Sequence, residues 1–193
     1  MRKIMFNDKF GLTKAVLEGR KIQTRRTMSD STAMAVQNSV DFLITSNRTK
    51  DEIDKHLSKF GETISLYKIG DVVAIAQNYK DCGLTDESTK GCPGWRNKMF
   101  VKAELMPHRI QITGIRIERL QDISNEDCLK EGIYEDGGDD SYLPHYFYNY
   151  PGSNSDGFKT PRLAYTDLIN KVAYTSIWDS NPWVLVYDFK LIR

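Results

Sequence analysis

The 193 residues are 40% hydrophobic and 27% charged, the balance of a globular chain with one substantial core; two full domains would leave both halves small. With 27 Lys and Arg against 26 Asp and Glu the formal net charge is +1, which excludes a surface that is everywhere an electrostatic trap for nucleic acid and confines any polyanion contact to a local patch. Three cysteines, Cys82, Cys92 and Cys128, without a C-x-x-C pair, indicate neither a disulfide framework nor a cysteine-based zinc site, and no apolar run reaches the roughly 20 residues of a membrane span, so a cytoplasmic protein with no membrane contact and no obligatory protein partner is expected.

In chain order, residues 3–6 read as a short strand and 8–18 as a helix, capped by Asn7 or Asp8 and offering Phe10, Ala15, Val16 and Leu17 to a core. Gly19 falls where a helix wants a left-handed terminator, so the basic run Arg20-Lys21-Ile22-Gln23-Thr24-Arg25-Arg26 departs from a turn. Residues 28–66 are polar, with two helices near 33–44 and 50–60 and no chemical motif, and read as an insertion or lid. After the turn Lys68-Ile69-Gly70-Asp71, the run Val72-Val73-Ala74-Ile75-Ala76 has buried-strand character; 85–97 is a Gly-, Pro- and charge-rich loop that Trp95 anchors.

Along 109–120, unbroken alternation would put Ile110 and Ile112 on one strand face and Ile115 and Ile117 on the other. A β-bulge near Thr113-Gly114 repairs this and bends the strand. Ser124-Asn125-Glu126-Asp127 has the form of a capping box with Asp for Glu, and it starts a short helix that Gly132 ends with Glu131 as its last residue. Residues 136–160 are a Gly/Asp/Ser-rich loop holding Tyr142, Tyr146, Phe147, Tyr148, Tyr150 and Phe158, a length that goes with function or disorder. Thr160-Pro161 supplies an N-cap and a first-turn proline for a helix running to about residue 178, and 183–192 alternate as a last strand. Short bulged strands with helices at their edges predict an α+β chain: a small mixed β-barrel with flanking helices, one domain over 1–193 with insertions at about 28–66 and 136–160.

The chemistry gathers in the basic run, where Arg20, Lys21, Thr24, Arg25 and Arg26 put four cations and one hydroxyl within seven residues. On a regular strand Lys21 and Thr24 point to opposite faces, so a turn or bulge past Gly19 must bring them into one cleft. There Thr24 is a candidate nucleophile and Lys21 its activating base, if burial or neighbouring cations draw the lysine from about 10.4 toward neutrality. The plainer alternative is a solvated basic strand. Glu131, at a helix C-terminus that disfavours a nearby anion, is the candidate carboxylate for proton shuttling; its alternative is a surface glutamate. Tyr146, Phe147 or Tyr148 is placed to stack on a base, worth about 1–3 kcal/mol, or to pin the loop to the barrel. His108 and His145 are too isolated for a metal site, and no cofactor is indicated.

Gly19-x-Lys21-x-x-x-x-Arg26 resembles the signature of the ASCH family, whose fold is PUA-like and which is associated with RNA. Gly70-Asp71-Val72-Val73 is similar to the family's Gly-Asp strand, Ile117-Glu118-Arg119-Leu120-Gln121-Asp122-Ile123-Ser124 to its central strand-to-helix junction, and Glu131-Gly132-Ile133 to the end of the next helix. Trp178-Asp179 and Asn181-Pro182-Trp183-Val184 resemble the C-terminal pattern of the phage and mobile-element branch. One branch of the family removes the acetyl group of N4-acetylcytidine with a lysine, a threonine and a glutamate, and the matching positions are Lys21, Thr24 and Glu131. The resemblance implies that Thr24 attacks the acetamide carbonyl, Lys21 accepts its proton and Glu131 assists the cytidine leaving group. That branch is much shorter and lacks the segments 28–66 and 136–160. Where the longer branch commonly carries a Glu-Thr-Trp-like sequence this chain has Gln77-Asn78-Tyr79, a departure that implies a changed or lost ligand contact from that strand; Gln77 and Tyr79 stand with Arg20, Arg25, Arg26 and Tyr146 as the nucleoside- or nucleic-acid-facing candidates. The expected partner is RNA or a modified nucleoside; the competing readings are a non-catalytic RNA-binding module and a ribonuclease using the same basic cleft.

Overall fold

The apolar final strand, β7 (Trp183–Ile192), is buried on both faces from Trp183 to Tyr187 and therefore takes the middle of the sheet. In the computed structural model, which describes residues 1–137, 146–153 and 157–192, β4 (Arg109–Arg119) and β2 (Gln23–Thr27) pair with it antiparallel, one on each side. β3 (Val72–Ile75) adds antiparallel to β4, and β1 (Lys3–Ile4) parallel to β3, giving the order β1-β3-β4-β7-β2. The chain is α+β, with a separate two-stranded sheet described below.

The closed barrel expected above is not what forms: the sheet is open, with β1 and β2 as its edges. β1 is only two residues long because the chain turns back just past it, where Asn7 Oδ1 accepts the Lys9 amide, so it offers little backbone for a ladder. The two edges meet through a side chain instead. Arg26 Nη2, on β2, donates to the Met5 carbonyl just after β1, and beside this contact opens a groove of about 430 Å³ lined by residues of both edges together with Tyr67 and Tyr187.

The bulge is where alternation demanded it: the β4–β7 register shifts between Ile112 and Gly114, leaving Thr113 as the extra residue. Ile110, Ile112, Ile115 and Ile117 are in consequence all buried. Helices α2 (Asp30–Thr45) and α3 (Lys50–Ile64) match the two expected in the 28–66 segment. They cover the sheet rather than stand off it, since Val36, Val40 and Leu57 enter the core and a Cβ on Gly61 would lie 3.1 Å from Ile117 Cγ1.

The first helix, α1 (Leu12–Leu17), is shorter than expected, because Gly11 caps it with φ +64° after the Asn7 turn. In the 85–97 segment, which holds the single turn α4 (Glu87–Lys90), Gly94 and not Trp95 is buried, packed against the Tyr79 ring. α5 (Asn125–Lys130) starts as read, with Ser124 Oγ accepting the Asp127 amide. The expected loop at 136–160 contains a hairpin of β5 (Tyr134–Gly137) and β6 (Tyr146–Asn149), where aromatic residues favour extended backbone over loop. Tyr150 and Phe158 stack with centroids 6.4 Å apart, and Tyr150 meets Phe10 edge-on, so these rings pin the segment to the body. The helix expected to reach residue 178 breaks in two: α6 (Pro161–Ala173) ends at Tyr174, φ +56°, and α7 (Ile177–Ser180) follows. Among the described residues no helix is long and apolar enough to cross a membrane.

Candidate active site

Two chain reversals bring Lys21, Thr24 and Glu131 together. Gly19, at φ +76°, turns the chain off α1, and the Lys21 amide then bonds back to the Ala15 carbonyl. The next amide, Ile22, donates to the Lys130 carbonyl, so the chain enters β2 across the end of α5. Gly132, at φ +105°, terminates α5 directly after Glu131, and a Cβ there would sit 3.6 Å from Lys21 Cβ. Lys21 precedes the strand and escapes its alternation, which otherwise would have separated it from Thr24.

The result is a hollow of about 70 Å³ lined by Lys21, Thr24, Arg25, Glu131 and Tyr165 over an apolar floor of Phe6, Leu12 and Leu168. Lys21 and Glu131 are 2% and 4% exposed, which rules out both a solvated basic strand and a surface glutamate. Lys21 Nζ donates to Glu131 Oε2 at 2.5 Å and to the Glu131 carbonyl at 2.8 Å. Glu131 Oε1 accepts from Arg25 Nη1 at 3.0 Å, so its carboxylate is clamped between two cations. The Thr24 hydroxyl, though it lines the hollow, has no hydrogen-bond partner among the described residues.

Arg25 organises the far side. Its five N–H groups meet five bonds: Nε and Nη2 to Glu118 Oε1 at 2.8 and 2.6 Å, Nη2 also to Asp127 at 3.3 Å, and Nη1 to Gln23 at 2.6 Å and to Glu131. Arg116 extends the lattice to Glu118, Asp127 and Asp188. Burial works against the Arg25 charge, but the Glu131 and Glu118 anions more than offset it and raise its pKa, so it is a permanent cation. Burial likewise lowers the Lys21 pKa; there Glu131 opposes without reversing the direction, and Arg26 and Arg25 add to the fall. When the Lys21 proton leaves, Glu131 still keeps its bond to Arg25. Burial pushes the Cys128 thiol up to about 12, so this neighbour is an inert filler and not a nucleophile.

The remaining candidates are dispersed. Arg25 faces inward and is spent within the protein. Arg20 is held by Glu18 at 3.0 and 2.7 Å and lies over the Tyr134 ring. Arg26 is exposed and lines both the hollow and the 430 Å³ groove, so it stands between them. Gln77 is buried against His108 Nδ1 at 2.8 Å and Tyr79 packs on Gly94; neither lines the hollow. Tyr146 has its backbone paired with Gly137, and its side chain lies outside the described residues. Sequence reasoning missed Tyr165, Asn7, Glu118, Asp127 and Arg116. Only Tyr165 left a trace, since it shares the face of α6 with Leu168 and Val172 and places a polar tip on an apolar stripe. Among the described residues no group of His, Cys, Asp or Glu is arranged to hold a metal ion. No family model, curated protein or solved structure matches the chain.

Proposed function

We propose that this chain is an amidohydrolase of the ASCH type that removes the acyl group from N4-acylated cytosine nucleosides, N4-acetylcytidine being the simplest, with Lys21, Thr24 and Glu131 as its working residues. On this reading the open five-stranded sheet is a PUA-like relative that does not close between β1 and β2. The observation that carries the proposal is the meeting, in one hollow, of an unbonded Thr24 hydroxyl with a buried lysine whose pKa is lowered and which touches Glu131 at 2.5 Å. Acyl transfer needs a nucleophile, a base and a relay around one hollow, and these three residues supply the groups for it.

The steps balance as follows. Thr24 Oγ1 attacks the acyl carbonyl carbon, and its proton passes to the neutral Lys21 amine and along the 2.5 Å contact to Glu131. Collapse of the tetrahedral intermediate breaks the C–N4 bond, and Glu131 delivers that proton to N4, releasing cytidine and leaving an ester on Thr24. Water then attacks the ester; its proton travels through Lys21 back to Thr24 Oγ1, and the acid leaves as carboxylate with its remaining proton going to solvent.

Size supports the division of the substrate. A cavity of about 70 Å³ is far below the roughly 300 Å³ or more that whole ligands of nucleoside size occupy, so it suits the acyl group alone. The groove of about 430 Å³ beyond Arg26 lies within that range and is where the nucleoside body belongs. Against an RNA-binding module built on the basic run stands the burial of Lys21 and Arg25, which leaves only Arg20 and Arg26 of its cations near solvent. The test is direct. Incubation of the wild-type protein with N4-acetylcytidine should yield cytidine and acetate in equal amounts, and absence of both would reject the proposal.

A further inference from the structure

Counting hydrogen bonds around the hollow isolates a residue that the proposed mechanism leaves unused. All five N–H groups of Arg25 are engaged. Both carboxylate oxygens of Glu131 are taken, by Lys21 and Arg25, and Lys21 has spent two of its three donors on Glu131. Among its buried groups the hollow still offers one amine valence, the Thr24 hydroxyl and the hydroxyl of Tyr165; Asn7 and Arg26, which also line it with N–H groups to spare, are half-buried and exposed respectively. Tyr165 is 1% exposed and its hydroxyl is buried without a hydrogen-bond partner among the described residues. Buried hydroxyls are rarely left so, because desolvation without a compensating bond is unfavourable; one that persists on the wall of a cavity points to an acceptor that arrives from outside.

The side chain is set for that purpose. It projects from α6 on the face that carries Leu168 and Val172, and Trp178 meets its ring edge-on with centroids 6.3 Å apart, which restrains it. Burial, and next the Glu131 anion, push its pKa well above the ordinary tyrosine value, so the group is a phenol that keeps a proton to donate to a ligand oxygen.

Resting on the amidohydrolase reading, we infer that the Tyr165 hydroxyl donates a hydrogen bond to the acyl oxygen of the bound substrate and holds that oxygen as it becomes negative when Thr24 adds to the carbonyl. A preplaced neutral donor on the wall of a small hollow stabilises the oxyanion more than the ground-state carbonyl, so its effect appears in kcat more than in KM.

Tyr165→Phe tests this in two ways. With N4-acetylcytidine, kcat should fall about 10²–10³-fold while KM changes little. The unliganded melting temperature should stay level or rise, because the change removes an unpartnered buried hydroxyl without opening a cavity. Independently of turnover, acetate titrated into the two proteins should bind about tenfold more weakly to Tyr165→Phe, since the carboxylate loses one donor. A variant that unfolds or melts markedly lower would show the hydroxyl to be structural and overturn the inference, as would equal acetate affinity or a wild type that binds no acetate. If the wild type binds acetate and loses that binding in Tyr165→Phe yet never hydrolyses N4-acetylcytidine, the donor role stands and the amidohydrolase reading falls.

Discussion

Replacing Lys21 with methionine separates a working base from a merely structural ion pair. Methionine keeps the length of the stem at a buried position, so packing is conserved while the charge and two hydrogen bonds vanish. Breaking a buried pair by removing one partner costs about 3–5 kcal/mol when the other charge is stranded. Here Glu131 keeps its bond to Arg25, so the loss at neutral pH should be smaller, about 1–3 kcal/mol, the worth of hydrogen bonds to a charged group. The pH dependence is more telling. Because the folded pKa of Lys21 is lowered, the unfolded chain binds the extra proton, and wild-type stability must rise with pH from that lowered value up to about 10.4. One proton sets the maximum slope at about 1.4 kcal/mol per pH unit. Cys128 and Tyr165, both shifted upward by burial, act with the opposite sign once their unfolded forms ionise, at about 8.5 and 10 respectively. The difference between wild type and Lys21→Met removes these shared contributions. Urea unfolding of both proteins from pH 6 to about 10.5 measures it, and the stability advantage of the wild type should grow with pH once the folded pKa is passed. Parallel curves would refute the lowered pKa, and with it the supply of neutral amine that Thr24 needs.

Three further outcomes follow from the same geometry. The kcat/KM for N4-acetylcytidine should rise through an acid limb as Lys21 loses its proton, and Lys21→Met should retain only residual activity with no such limb, losing about 10²–10⁴-fold; a pH–rate profile of both proteins decides it. Arg25→Lys should destabilise by about 3–5 kcal/mol in urea melts, because a lysine cannot make the five bonds that hold Glu118, Asp127, Gln23 and Glu131, whereas Arg20→Ala, on an exposed pair, should cost no more than about 1 kcal/mol. Gly132→Ala should cost about 1–2 kcal/mol through its φ of +105° and lower kcat as well, since it moves Glu131 on Lys21, which combined thermal melts and kinetics would record.

What could be read beforehand was whatever short-range rules govern. Gly19 and Gly132 declare their turns because each needs a left-handed backbone, and the four isoleucines of β4 demand a bulge because a single core face is available. Lys21, Thr24 and Glu131 are candidates by residue type and are singled out as a set by the motif resemblance; the two turns are what bring them to one hollow. Long-range packing set the rest. Nothing local to Arg25 says that Glu118 and Asp127, about a hundred positions away, will surround it, so a cation that reads as a phosphate ligand becomes a buried strut. The bulge was inferable from the alternation, but closure depends on two edges finding each other, and beside a two-residue β1 turned away at Asn7 it is the Arg26 side chain that reaches across. Tyr165 was hidden for a similar reason: its neighbours on α6 mark a core face, and only the assembled hollow shows that its hydroxyl has been left without a bond.

The most direct measurement compares single-turnover release of acetate from N4-acetylcytidine by the wild type, Thr24→Ser and Thr24→Ala. A serine keeps a hydroxyl in the hollow that Lys21 also lines and should retain turnover, while alanine, with nothing to acylate, should fall by about 10³-fold or more. Comparable rates for wild type and Thr24→Ala would contradict a threonine nucleophile in this hollow.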